Sequence, residues 1–172
     1  DKGNGKACIP RGGNVGSGLY HSQNPEAWFV HRPGLKVVAP STAWDAKGLL
    51  KAAIRDDNPV IFIEHETLYG SRGDVPEGES DGIVNFGEAA VRREGGDVTI
   101  IGILRMADVA QKAAKTLANE HVVEAEVIDP RTLRPLDLDT ILRSVRKTNR
   151  VVVLEEGWPH GGVGANIAAL IA

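Results

Sequence analysis

The sequence predicts an α/β protein with mostly parallel sheets, on three observations. Short apolar runs recur at residues 35–39, 60–63, 98–103, 125–128 and 151–154. Between them lie stretches whose apolar residues fall at helical spacing. Turn formers mark the junctions. Apolar strands joined through helices are the pattern of a parallel sheet, whose crossovers need a helix-length connection.

The opening, residues 1–18, is rich in glycine and without periodicity, and reads as loop. A helical turn fits residues 25–30. Pro33-Gly34 leads into the first apolar run, a strand. Ser41 or Thr42 caps the next helix, whose Ala46, Leu49, Leu50, Ala53 and Ile54 form one buried stripe. Asn58-Pro59 stops it before the strand at 60–63. Residues 70–82 then break the rhythm with glycines, Pro76 and little to bury, which marks a linker. The charge shifts here too, from eight basic against seven acidic residues up to position 70 to twelve against sixteen after it. Two folding units therefore meet near residue 75. Beyond it, Gly95-Gly96 precedes the strand at 98–103, and a helix at 107–119 buries Val109, Ala110, Ala113, Ala114 and Leu117. A strand at 125–128 follows, then a helix capped by Asp137 that buries Leu138, Ile141, Leu142 and Val145. A strand at 151–154 and a helix at 162–172 complete a doubly wound, three-layer pattern.

Composition narrows the function classes. Among 172 residues, 20 Lys and Arg stand against 23 Asp and Glu, and 42% of the chain is apolar. The balance is mildly acidic, which argues against non-specific nucleic-acid binding. No apolar run reaches the length of a spanning helix. Cys8 is the only cysteine, so no internal disulfide staples the chain, and a reducing cytosol or organelle matrix suits it. With Asp1 first, Met106 as its only methionine and an apolar run through Ile171-Ala172, the sequence reads as the interior of a longer chain.

Several residues are candidates for chemistry. His21 follows the glycine-rich opening at the rim of the first unit, where an imidazole donates or accepts a proton or stabilises an oxyanion. Spacing alone favours a surface or capping histidine. His21 and Ser22 as base and nucleophile are disfavoured, because neighbours in a chain rarely point at each other and no nucleophile-elbow pattern surrounds them. Cys8 lacks an electropositive setting and reads as inert. The glycines of residues 12–18 resemble a phosphate loop, but no strand precedes them and no Gly-Lys-Ser/Thr ends them, so they read as a loop. Residues 53–59 end a helix in a polar turn, where unpaired carbonyls either hold a monovalent cation or simply stop the helix. Glu155-Glu156 lies at the carboxyl end of a strand, the ligand edge of an open α/β sheet, although solvated charge or a packing contact is the simpler role. His160 lies among glycines at the start of the last helix, and no metal-ligand spacing of His, Cys, Asp or Glu occurs.

Six segments in register carry a resemblance. They are His21-Ser22-Gln23, Pro33-Gly34-Leu35-Lys36-Val37-Val38-Ala39-Pro40, Asp45-Ala46-Lys47-Gly48-Leu49-Leu50, residues 53–60, Asp129-Pro130-Arg131-Thr132-Leu133-Arg134-Pro135-Leu136-Asp137 and Glu155-Glu156-Gly157-Trp158-Pro159. Together they resemble the beta subunit of the thiamine-diphosphate-dependent decarboxylating component of 2-oxo acid dehydrogenase complexes, most like the pyruvate-type enzymes.

The resemblance implies that residues 1–70 are the C-terminal part of a pyrimidine-binding domain and 71–82 a linker. Residues 83–172 would be a transketolase C-terminal-like three-layer α/β domain lacking its end. It implies thiamine diphosphate with magnesium, held mainly by an alpha subunit, and allows a potassium ion. The implied partners are that alpha subunit, a second beta subunit and the lipoyl acyltransferase core, with no nucleic acid and no membrane. The family decarboxylates a 2-oxo acid and passes the acyl group to a lipoyl group, in a bacterial cytoplasm, a mitochondrial matrix or a plastid. His21 matches the active-site histidine that assists acyl transfer. Ala53, Asp56 and Asn58 match positions whose main-chain carbonyls bind potassium. Acetoin and branched-chain 2-oxo acid enzymes are rival readings within the class, and a non-catalytic dimerisation or assembly module is the rival outside it. Segment 9–20 is shorter than the family pattern, and Tyr20 stands where Gln is usual. The family's essential glutamate belongs upstream of this chain, so the isolated polypeptide is expected to lack decarboxylase activity. Turnover of pyruvate with thiamine diphosphate and no other chain would contradict that.

Overall fold

The computed structural model describes residues 5–13, 15–16, 18–75, 77 and 82–172. The first part runs β1 (Lys6–Arg11), α1 (Gly18–His21), α2 (Glu26–Val30), β2 (Lys36–Val38), α3 (Ala43–Arg55) and β3 (Val60–His65), which ends in a 3-10 turn (Glu66–Leu68). The second part runs β4 (Ala90–Arg93), β5 (Val98–Gly102), α4 (Met106–His121), β6 (Ala125–Asp129), β7 (Thr132–Arg134), α5 (Leu138–Thr148), β8 (Val151–Leu154) and α6 (Val163–Ile171). Of the expected linker, residues 76 and 78–81 lie outside the described residues, and 71–75 carry no regular structure.

Two four-stranded sheets result, in the orders β1-β3-β2-β7 and β4-β6-β5-β8. Parallel pairs join β1, β3 and β2, and also β6, β5 and β8. An antiparallel edge closes each sheet, β7 against β2 and β4 against β6. The expected α/β architecture with mostly parallel sheets is therefore present.

Three strands depart from the sequence reading. Lys6–Arg11, expected as loop, is the edge strand β1, whose residues alternate between exposed and half-buried. Among its half-buried positions only Ile9 is large and apolar, so no local run announces the strand, and pairing with the buried β3 makes it one. A strand thus does precede the glycines of 12–18, against the expectation, although only the single turn α1 follows them. Strands β4 and β7 are short and arginine-bearing, and they too form by tertiary pairing.

Helix α3 starts as expected, with the Asp45 N–H donating to the Thr42 side chain at 3.1 Å. Its buried face is narrower than expected. Leu50 and Ile54 are 41% and 68% exposed, whereas Asp45, Gly48, Leu49 and Ala53 are buried. Gly48 explains the rotation, because a Cβ there would lie 2.4 Å from the Gly82 carbonyl oxygen. The chain at 82–84 crosses the helix where only a glycine permits that approach.

One hydrophobic core spans both sheets. Val37, Ala39 and Ile63 of the first part pack with Ile101, Ile128, Leu133, Ile141 and Ile167 of the second. Beside it, a buried ionic cluster ties α3 to the second sheet. Arg92 of β4 donates to Asp129 at 2.7 Å and also to Asp45, and Arg131 donates to Asp45 at 3.2 Å. Both carboxylates are inaccessible to solvent. Burial pushes the Asp129 carboxyl up, against the opposing pull of Arg92 and the Ser41 hydroxyl.

Two helices end on a left-handed residue, Val122 at φ 56° and Asn149 at φ 55°. Asparagine tolerates that conformation, but a β-branched residue is strained there. Val122 is 86% exposed, so its side chain contributes little burial. Val122→Gly is expected to stabilise the fold by about 0.5–1 kcal/mol, measured as a higher urea midpoint with an unchanged slope.

Candidate active site

The carboxyl ends of β1, β3, β5 and β8 lead to one region, where open α/β sheets place ligands. Its centre is Glu156, just past β8. One carboxylate oxygen accepts the Arg105 guanidinium at 2.6 Å, and the other lies 2.7 Å from His65 Nε2. His65 ends β3 and is only 1% exposed. Its Nδ1 accepts the Thr67 backbone N–H at 3.2 Å, so the ring proton sits on Nε2 and is donated to Glu156. Of the two simpler sequence readings of Glu156, solvated charge or a packing contact, the structure shows the second, a shielded carboxylate joining β3 to the start of α4.

This contact shapes the loop that follows β1. A Cβ on Gly12 would lie 2.4 Å from His65 Nε2, and one on Gly13 would lie 3.2 Å from Glu156 Cβ. Gly12 and Gly13, read from the sequence as part of a loop rather than a phosphate-binding loop, let the backbone pass over the His65–Glu156 pair.

Glu155 points the other way, into the start of α6, where the N–H groups of Val163 and Gly164 donate to it. Burial raises its carboxyl and those two amides oppose the rise. Gly162 and Gly164 make room, since a Cβ on either would lie 2.5 or 2.8 Å from Glu155 Oε1. Glu26, the first residue of α2, completes an acidic group and is 6% exposed. Burial first, and then the charges of Glu155 and Glu156, push its carboxyl up to about 7. Glu26 thus keeps its proton well above the ordinary carboxylate range and is half-titrated near neutrality.

The residues that the sequence resemblance singles out fall at two separate places. His21 ends α1 beyond the carboxyl end of β1, exposed and without a hydrogen bond among the described residues. The Ser22 hydroxyl beside it is buried and has no partner among the described residues, so it makes no hydrogen bond to His21. Ala53, Asp56 and Asn58 lie at the other end of β1, a strand of six residues, roughly 20 Å long. There the Ala53 carbonyl accepts the Asp56 N–H at 3.3 Å. The Asp56 and Asn58 carbonyls accept the Lys6 ammonium at 2.7 and 2.8 Å. Sequence reasoning missed His65, Arg105, Glu26 and Lys6. Only His65, a polar residue ending an apolar strand, carried a local signal.

Two family matches tile the chain: the pyrimidine binding domain of transketolase over residues 12–72, and the transketolase C-terminal domain over 87–172. The chain belongs to the transketolase family. Within that family it is similar to the pyruvate dehydrogenase E1 component subunit beta of Rickettsia felis, at 51% identity across 94% of this chain and 49% of that relative. The mitochondrial subunit beta of Dictyostelium discoideum is 49% identical across 94% of this chain and 46% of its own length. The mitochondrial subunit beta-1 of Arabidopsis thaliana is 50% identical across 94% and 45%. The chain therefore spans about half the length of these relatives. A solved structure described as a split gene transketolase, inactive beta4 tetramer, superposes with a TM-score of 0.79 at 30% identity, covering 96% of this chain and 52% of that one.

The Glu26 geometry sets a pH dependence for this transketolase-family fold. The folded state keeps a proton on Glu26 up to about 7, against an ordinary 4.5 once unfolded. Between those values the folded state binds more protons, so stability falls as pH rises through the window. Glu26→Gln removes the titration. The variant should match the wild type near pH 4 and exceed it at pH 8 by on the order of 2 kcal/mol, read from urea unfolding at the two pH values.

Proposed function

We propose that this chain is a segment of the beta subunit of a pyruvate-type 2-oxo acid dehydrogenase component. It takes part, with an alpha subunit, in oxidative decarboxylation and in acyl transfer to lipoyl groups. Residues 1–70 supply the end of the pyrimidine-binding domain, 71–82 the linker and 83–172 most of the C-terminal-like domain. About half identity over 94% of the chain to beta subunits from bacteria and from mitochondria carries this reading.

Thiamine diphosphate, held with magnesium mainly by the alpha subunit, supplies the electron sink for decarboxylation. The contribution of this chain is His21. An exposed imidazole on a short helix, with both ring nitrogens unengaged among the described residues, donates a proton to an incoming lipoyl sulfur or takes one from it. The chain leaves β1 through Gly12 and Gly13, which pack on His65 and Glu156. A second beta subunit and the lipoyl acyltransferase core are the further partners. The proposed setting is a bacterial cytoplasm, or a mitochondrial matrix or plastid; the mitochondrial relatives support the second of these.

A second reading has one observation in its favour. The superposed split-gene transketolase is described as an inactive tetramer of beta chains, and a non-catalytic assembly role would follow for a beta chain without its partner.

Reconstitution separates the two. The complete beta subunit, with its alpha subunit, thiamine diphosphate and magnesium, should turn over pyruvate faster than branched-chain 2-oxo acids or acetoin. In that assembly His21→Ala should slow reductive acylation of a lipoyl domain by roughly 100-fold, with assembly intact by light scattering. An unchanged rate removes His21 from the reaction. Assembly without turnover of any of the three substrates favours the structural role.

A further inference from the structure

Two main-chain carbonyls after α3 converge on a cation that the chain itself provides. Lys6 Nζ donates to Asp56 O at 2.7 Å and to Asn58 O at 2.8 Å. The turn is built to present them. Asp56 Oδ1 accepts the Asn58 backbone N–H at 2.7 Å and its side-chain amide at 2.8 Å, which curls the segment into an Asx-type turn. Asp56 Oδ2 takes the Lys36 ammonium, which also lies 5.1 Å from the centre of the Phe86 ring. In the β1–β3 register Lys6 stands opposite Val60, so its side chain begins level with the turn that precedes β3.

Converging carbonyls replace the hydration shell of a monovalent cation. A lysine ammonium has the same charge and directional N–H donors, and its tether keeps it at high effective concentration. A bare potassium ion does not fit this arrangement. The Asp56 and Asn58 carbonyls already hold an ammonium, and the Ala53 carbonyl, which accepts the Asp56 N–H, is the single remaining oxygen of the three. A second cation would also face Lys6 and Lys36 at close range. We propose that the Lys6 ammonium is the resident cation of this turn, in place of the potassium that the family resemblance assigns to Ala53, Asp56 and Asn58. The α3–β3 connection then keeps its shape in the absence of potassium. The inference concerns the opposite end of β1 from His21 and does not rest on the catalytic reading.

The complete subunit containing this sequence tests it, crystallised with thallous ion in place of potassium. Its melting temperature is compared in potassium chloride and N-methylglucamine chloride at equal ionic strength. Wild type should show no thallium peak at the Asp56 and Asn58 carbonyls. Lys6→Ala should show one, should melt several degrees lower in N-methylglucamine and should regain the loss in potassium. A thallium peak on those carbonyls in the wild type overturns the proposal. So does a Lys6→Ala subunit that melts with the wild type in N-methylglucamine. The wild-type crystal decides by itself if the variant does not fold.

Discussion

Asp45 and Asp129 are two carboxylates without solvent access, one on the first turn of α3 and the other at the end of β6. Arg92 reaches both, and Arg131 reaches Asp45 while its own N–H group is taken by Asp129 at 2.9 Å. Removing one partner from such a buried set leaves a charge with neither water nor counterion, at about 3–5 kcal/mol. That penalty fixes how the two sheets sit. The Arg131 carbonyl accepts the Ala39 N–H at 2.8 Å, and its left-handed backbone turns the chain directly into β7. The strand then leaves the second sheet and joins the first. Charge pairing thus sets the crossing, and the shared hydrophobic core fills in behind it.

The same close fit carries to the candidate active site. Glu156 joins β3 to the start of α4 through His65 and Arg105, and Glu155 anchors the start of α6. Neither carboxylate is free to act as a general base, because both are committed to holding elements together. His21 lies exposed further along the chain from Gly12 and Gly13, the two glycines over which His65 and Glu156 leave no room for a side chain.

Much of the fold was legible because its central strands are buried on both faces and read as apolar runs. Thr42 and Asp137 were readable as caps because a side chain oxygen three residues before a backbone N–H is a local device. Strand β1 was not, since an edge strand with Lys6, Cys8 and Pro10 outward has no one-dimensional signal. At the site, His21 was visible only through family resemblance, since nothing in its spacing separates it from a surface histidine. His65, Arg105 and Glu156 are spread over 91 positions, and no local pattern relates residues that meet only through the folded sheet.

By itself the sequence determined the alternation of strand and helix, the caps, the absence of a helix apt to span a membrane, and the family. These depend on residues near one another in the chain, or on motifs kept in order. Tertiary structure alone decided that β7 crosses between sheets, that Glu26 keeps its proton towards neutral pH, and that Lys6 lies on the carbonyls of a turn fifty residues away. Each is an electrostatic or hydrogen-bonding outcome. It depends on which distant groups share a space from which water is excluded, and only the fold brings them there.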